Sequence, residues 1–279
     1  MFNPLSCYIV TGEGVDSRAP GPESEGMFRY AALLVFAAAL LACSPPTPGA
    51  TAPAPVKADV LNDSGAPASF FPAPDRPVAP IVSDTWNHPE KRDAADESGQ
   101  LIRALGIGPG MVIGDIGAGS GYHTVRMAPV VGPTGRIIAQ DIKPEYLRGL
   151  SRTLQERGIS NVKLAVGEAH DPRLAPDSLD LALMVHMYHE IAQPYAFLHN
   201  LAPAMKRGGR VAVVDLDRET WKHGTPRDLL RCEMEAVGYR QISFATLGGE
   251  VGYLAVFTAP SEDERPEPGA IRPCRPPAR

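Results

Sequence analysis

Three groups of residues in this 279-residue chain have types and spacings suited to chemistry. The first is Asp115-Ile-Gly-Ala-Gly-Ser-Gly-Tyr122. Its glycines at 117, 119 and 121 reach φ values closed to other residues and let backbone amides approach a ligand. The second is Asp141, an acid at the end of the next apolar run, placed to accept hydrogen bonds from two ribose hydroxyls. The third is His186-Met-Tyr-His-Glu190, where imidazoles beside a carboxylate suit proton transfer near neutral pH. The first two groups together imply a nucleoside ligand. The turn reads G-x-G-x-G rather than the G-x-G-x-x-G of dinucleotide sites, which disfavours NAD.

These groups need a scaffold, and the pattern around them supplies one. Short apolar runs at 111–116, 136–141, 161–166, 179–185 and 210–215 read as strands, and helical spacing at 122–131, 144–158, 194–206 and 226–237 alternates with them. Residues 239–246 and 251–258, joined by Gly248-Gly249-Glu250, read as an antiparallel hairpin. Residues 84–105 are expected to be helical and to pack in front of the sheet. Repeated βα units imply a mostly parallel sheet covered on both faces, with a ligand crevice at the strands' carboxyl ends. At that crevice Asp115 suits an α-ammonium group better than a pyrophosphate. S-adenosylmethionine combines adenosine, an ammonium and a carboxylate.

Asp115-Ile-Gly-Ala-Gly-Ser-Gly resembles motif I of the class I S-adenosylmethionine-dependent methyltransferases, and Asp141 resembles their ribose-binding acid. Gly167-Glu168-Ala169 is similar to the family's adenine-contacting turn. Pro203-Ala-Met-Lys-Arg-Gly-Gly-Arg-Val-Ala-Val-Val-Asp215 is similar to its helix, glycine turn and fifth strand, with Ala204 to Arg207 replacing the commoner Leu-Lys-Pro. The resemblance covers about residues 110–258. It implies a doubly wound, mostly parallel, seven-stranded Rossmann-like α/β sheet with a C-terminal antiparallel hairpin. It also implies S-adenosylmethionine as methyl donor, bound by Asp115, Gly117, Ala118, Gly119, Gly121, Tyr122, Asp141, Ile142, Glu168 and Ala169.

On the acceptor side, His189 is expected to act as base or positioning group, Glu190 to orient it, and His186 and Tyr188 to form pocket wall. A metal reading of His186, His189 and Glu190, approached by His170-Asp171, competes with this one. The H-E-x-x-H pattern fails because Gln193 stands where its second histidine belongs, so no metal is expected. Asp215-Leu-Asp-Arg218 and His223-Gly-Thr-Pro226 flank the acceptor side. Arg218 suits a surface ion pair with Asp217 or Glu219 or an acidic substrate group, and Trp221 an acceptor wall or a loop anchor. Trp86, His88 and Arg92 suit a lid or simple packing.

The rest of the chain reads as an address. Residues 31–42 are an uncharged apolar run after Arg29, about 18 Å long as a helix against a bilayer core of about 30 Å. That length suits a signal segment, with a buried helix as the alternative. Leu40-Leu41-Ala42-Cys43 resembles the bacterial lipobox, which implies acylation at Cys43 and anchoring in the envelope facing the periplasm, a cytoplasmic location being the alternative. The organisation expected is a doubtful leader (1–26, with Met27 as true start), the signal (27–43), a Pro/Ala-rich linker that cannot pack (44–80), the methyltransferase domain (81–260) and a disordered tail (261–279). Cys232 reads as a helix residue on an apolar face, and the four cysteines suggest neither a metal spacing nor a disulfide framework. A net charge of −5 with no basic block argues against nucleic acid, leaving a small-molecule acceptor. Because S-adenosylmethionine is made in the cytoplasm, an envelope-tethered nucleoside-binding lipoprotein without methyl transfer is the second reading. Oligomeric state is unreadable.

Overall fold

Residues 65–81 and 88–275 are described in a computed structural model. The expected leader, the signal with Cys43, and Trp86 lie outside them. Each expected apolar run forms a strand: β1 (Val112–Ile116), β2 (Arg136–Asp141), β3 (Val162–Val166), β4 (Leu179–Val185), β5 (Met205–Asp215), β6 (Arg240–Leu247) and β7 (Gly252–Thr258). They make one sheet in the order β3-β2-β1-β4-β5-β7-β6. β1 to β5 are parallel, and β7 enters antiparallel between β5 and β6.

Side-chain alternation explains why both faces must be covered. In β4, Ala182 and Met184 join one core while Leu181 and Leu183 join another. In β5, Val211 and Val213 divide from Ala212 and Val214 in the same way. A strand apolar on both sides needs helices on both, as parallel sheets generally do. α2 (Glu97–Leu105) and α3 (Tyr122–Val131) pack on one face. α5 (Pro194–Leu201) and α6 (Arg227–Ala236) pack on the other. α4 (Pro144–Glu156) buries Leu147, Leu150 and Leu154 beside β2 and β3. The helix expected over 194–206 stops at Leu201, because Pro203 has no N–H to continue the ladder; β5 begins early, at Met205.

Two terminal segments depart from expectation. Residues 65–80, read as unable to pack, lie along the α5–α6 face. There Phe71 is buried against the His199 ring, Asn200 bonds Ala66 in both directions, and Thr220 donates to the Pro77 carbonyl. The Arg76–Glu233 ion pair, at 2.8 Å with both side chains fully buried, fastens the strap, and Tyr188 donates to the second oxygen of Glu233. The tail, read as disordered, is ordered through Arg275. Ile271 joins the core, and Cys274 forms a disulfide with Cys232 of α6, the framework the cysteine count did not suggest. Composition misled in both places because proline-rich chain, which builds no core of its own, still lies well against a surface that helices have already made.

Candidate active site

At the switch point between β1 and β4, where strand order reverses, the glycine turn closes β1 and opens α3. All three glycines have positive φ: 67° at Gly117, 55° at Gly119 and 84° at Gly121. A side chain at Gly121 would sit 2.2 Å from Leu150, and one at Gly117 2.9 Å from Met187. One at Gly119 would meet nothing within 4 Å, because that glycine faces a cavity of about 260 Å³. Asp141 braces the turn. One oxygen accepts the Gly119 N–H and the other the Lys143 N–H, each at 2.8 Å.

Asp141, Ile142, Glu168 and Ala169 line this cavity with Gly117 and Gly119, so the third-strand turn meets the first two as expected. Ala118 and Tyr122 line a smaller neighbouring recess together with Arg92, His186 and Glu190. Gly121 lines neither. Nor does Asp115: it is buried behind the turn and accepts a 2.5 Å hydrogen bond from Thr124. Burial pushes the Asp115 carboxyl above the usual range, against the pull of His123 and Thr124. Asp141 is likewise raised by burial, against its backbone donors. Gln140, Tyr146 and Phe197 also line the cavity, and sequence reasoning missed them. Gln140 alone carried a signal, standing one residue before Asp141.

The cradle suits a nucleoside on an observation independent of the motif. Gln140 is buried, its amide nitrogen has no hydrogen-bond partner among the described residues, and it borders the cavity beside the open Gly119.

Above the turn, α1 (Pro89–Ala94) and α2 act as a cap. Arg92 and Arg126 each lie 3.8 Å from the centre of the Tyr122 ring, and Tyr122 donates to Asp93. Arg92 also bonds Glu97, which holds His123 at 3.1 Å. Burial raises the Glu97 carboxyl, but His123 and Arg92 outweigh it and hold the group far below its ordinary range. His88, half-exposed beside Glu90, is no part of this cap.

The His186–Glu190 segment divides its residues. His186 lines the recess and is neutral at pH 7, because burial lowers it to about 4 despite Glu97 and Asp215 nearby. Glu190 lines both cavities. Tyr188, expected as pocket wall, is fully buried toward Glu233. His189 is fully buried and lines neither cavity; its Nδ1 lies 3.0 Å from Asp215, so Asp215 rather than Glu190 orients it. A tight 3-10 turn over Tyr188–Glu190 points successive side chains in different directions, which linear adjacency does not reveal. Asp215 also accepts from the Thr225 hydroxyl at 2.7 Å and the Leu216 N–H at 2.8 Å. Arg218 donates to the His223 carbonyl rather than to Asp217 or Glu219, and Trp221 is exposed beside Lys222. His170 and Asp171 stay with Glu168 and Arg173, away from the His189 cluster.

Comparison with known proteins agrees with this geometry. A family model described as a methyltransferase domain matches residues 107–256, more than half of the chain. The ubiquinone/menaquinone biosynthesis C-methyltransferase UbiE of Ectopseudomonas mendocina is 26% identical over 118 residues, 42% of this chain and 46% of that protein. The protein-L-isoaspartate O-methyltransferase of Aeropyrum pernix is 28% identical over 189 residues, 64% of this chain and 65% of its own length. The chain thus spans less than two thirds of either relative. Among solved structures, a SAM-dependent methyltransferase from Aquifex aeolicus superposes with a TM-score of 0.51 at 22% identity, covering 61% of this chain and 97% of that one. That likeness is one of fold. With the sheet order, the glycine turn and the family match in agreement, the chain belongs to the class I S-adenosylmethionine-dependent methyltransferase family.

Proposed function

We propose that this chain transfers a methyl group from S-adenosylmethionine to a small-molecule acceptor, and does so in the bacterial envelope, tethered through an acylated Cys43. The observation that carries the donor assignment is the open face of Gly119 beside Asp141 and the partnerless amide of Gln140, on one cavity at the switch point. When bound, the donor supplies an electrophilic sulfonium methyl. The protein's part is chiefly positioning, which can be worth roughly 7–11 kcal/mol. Asp141 suits the ribose hydroxyls and Glu168 the adenine edge, while Asp115 supports the turn from behind through Thr124. Of the expected catalytic residues, Glu190 and neutral His186 border the cavities and can hydrogen-bond an acceptor, Glu190 being the better placed to take its proton; His189 is enclosed behind them.

The Cys232–Cys274 disulfide favours the envelope, since structural disulfides persist in oxidising compartments. The same bond favours the second reading, a nucleoside-binding lipoprotein, if the donor does not reach that compartment. Calorimetry with S-adenosylmethionine and its demethylated product on the full chain tests the donor site. We expect stoichiometric binding of both, weakened at least tenfold in Asp141→Ala. Absence of binding removes the proposal, and binding with no turnover on any envelope extract selects the lipoprotein reading.

A further inference from the structure

Behind the cavity wall, three side chains from two turns converge on one point. Each of His189, Glu190 and His223 offers a nitrogen or oxygen atom, and these atoms all lie within 4.8 Å of one another. The two imidazole rings stand 5.5 Å apart and nearly perpendicular, at 83°.

The hydrogen bonds around the cluster decide what His189 presents. Asp215 is fully buried and accepts from Nδ1 of His189, from the Thr225 hydroxyl and from the Leu216 N–H. A carboxylate so placed holds the imidazole proton on Nδ1, which leaves Nε2 as a lone pair. That Nε2 is completely buried and has no hydrogen-bond partner among the described residues. Nδ1 of His223 is buried and partnerless as well. A buried acceptor without a donor costs free energy, so an orphaned imidazole nitrogen in a folded chain calls for a missing ligand.

We propose that His189, Glu190 and His223 bind a divalent first-row transition ion of the zinc, cobalt and iron class. Two imidazoles and one carboxylate are a donor set for such ions and a poor one for magnesium or calcium. A carboxylate behind the ligating histidine, as Asp215 stands behind His189, is the usual second layer of such a site. Ligands at about 2.0–2.2 Å from a metal lie about 3–3.5 Å apart, so the three atoms, already within 4.8 Å of one another, would draw together on binding an ion. The backbone of His223 is held on both sides: Arg218 donates to its carbonyl, and its N–H donates to the Thr220 carbonyl. Glu190, the one proposed ligand that also lines both cavities, would place the ion next to them. The site differs from a metal reading of the local sequence, which joined His186 rather than His223 to the set. It does not depend on the methyl-transfer proposal.

The test uses the full untagged chain, stripped with a chelator and titrated with Co²⁺ while visible ligand-field bands are recorded, then challenged with Zn²⁺ and Mg²⁺. We expect one tightly held Co²⁺ per chain, displaced by Zn²⁺ and not by Mg²⁺, together with a metal-dependent rise in Tm. His223→Gln, at a partly exposed turn, should weaken binding at least tenfold while leaving the Tm of the metal-free chain within a few degrees of wild type. His189→Gln, whose amide can still donate to Asp215, should do the same and guards against a folding artefact. Absence of stoichiometric Co²⁺ binding, or equal binding in wild type and both variants, overturns the proposal and leaves an ordered water between the two rings as the occupant.

Discussion

The glycine-turn cradle and the buried side-chain wall behind it are built by different means. The cradle is made largely of backbone from a short stretch of chain. Gly119 and Lys143 donate to Asp141, and Ala118 donates to the Gln140 carbonyl. The wall is made of side chains brought from far apart. Tyr188 meets Glu233 across 45 residues and Arg76 meets Glu233 across 157, against the 22 that separate Gly119 from Asp141. Short-range backbone geometry has a sequence signature, because glycine and a strand-end acid are needed at fixed offsets. Long-range side-chain partnership has none, since many pairings of the same residue types are compatible with one chain.

If the wall depends on distant partners, removing one partner should damage the whole fold more than any change in the cradle. Glu233→Ala leaves the Arg76 guanidinium buried without its carboxylate, and the expected loss is about 3–5 kcal/mol in urea unfolding. A loss under about 1 kcal/mol would show that the strap is held by its apolar contacts instead. Next in size is the clamp on the tail. Cys232→Ser or reduction opens a link across 42 residues, with an expected cost of about 4 kcal/mol and earlier proteolysis at 261–275.

His186 stands where the two regions meet, facing Glu97, Asp215, Arg92 and His123. Its imidazole titrates near 4 in the folded chain and near 6.5 when unfolded, so between those values only the unfolded chain takes up the proton. Stability carried by this group is therefore complete above pH 6.5 and falls as pH drops toward 4, by roughly 3 kcal/mol in all. His186→Asn, which tolerates the positive φ of 54°, should flatten the pH dependence of the urea midpoint across that window. A parallel profile would mean that the recess is open to water.

The smallest effect on stability belongs to the cradle, where it separates folding from binding. Gly119→Ala should cost about 1 kcal/mol from its positive φ, because the added methyl meets no atom, yet weaken donor binding at least tenfold in calorimetry. Gly121→Ala should reverse the order, losing stability first through the overlap with Leu150.

Much of the fold could be read directly. The apolar runs before Gly117 and through Asp141, and the hairpin around Gly249, carry period and punctuation dense enough to define every strand. Of the residues expected to hold a donor, Asp141 followed from its position at a strand end and Ile142, Glu168 and Ala169 from the family resemblance, and all four line one cavity. Asp115 was legible as a motif member, though not as a residue turned inward to Thr124.

What the amino-acid order determined by itself is local: where strands start and stop, and where backbone must pass through the left-handed region to open a cradle. Those outcomes rest on steric limits within a few residues of each position. Only the tertiary structure decided that Asp215 stands behind His189, that His223 completes its cluster, that Cys274 reaches Cys232, and that a proline-rich strap closes over Glu233. Each of these depends on packing that brings distant segments together. Burial then makes an unpaired charge or lone pair costly, so partners are chosen by where the core leaves them and not by their spacing along the chain.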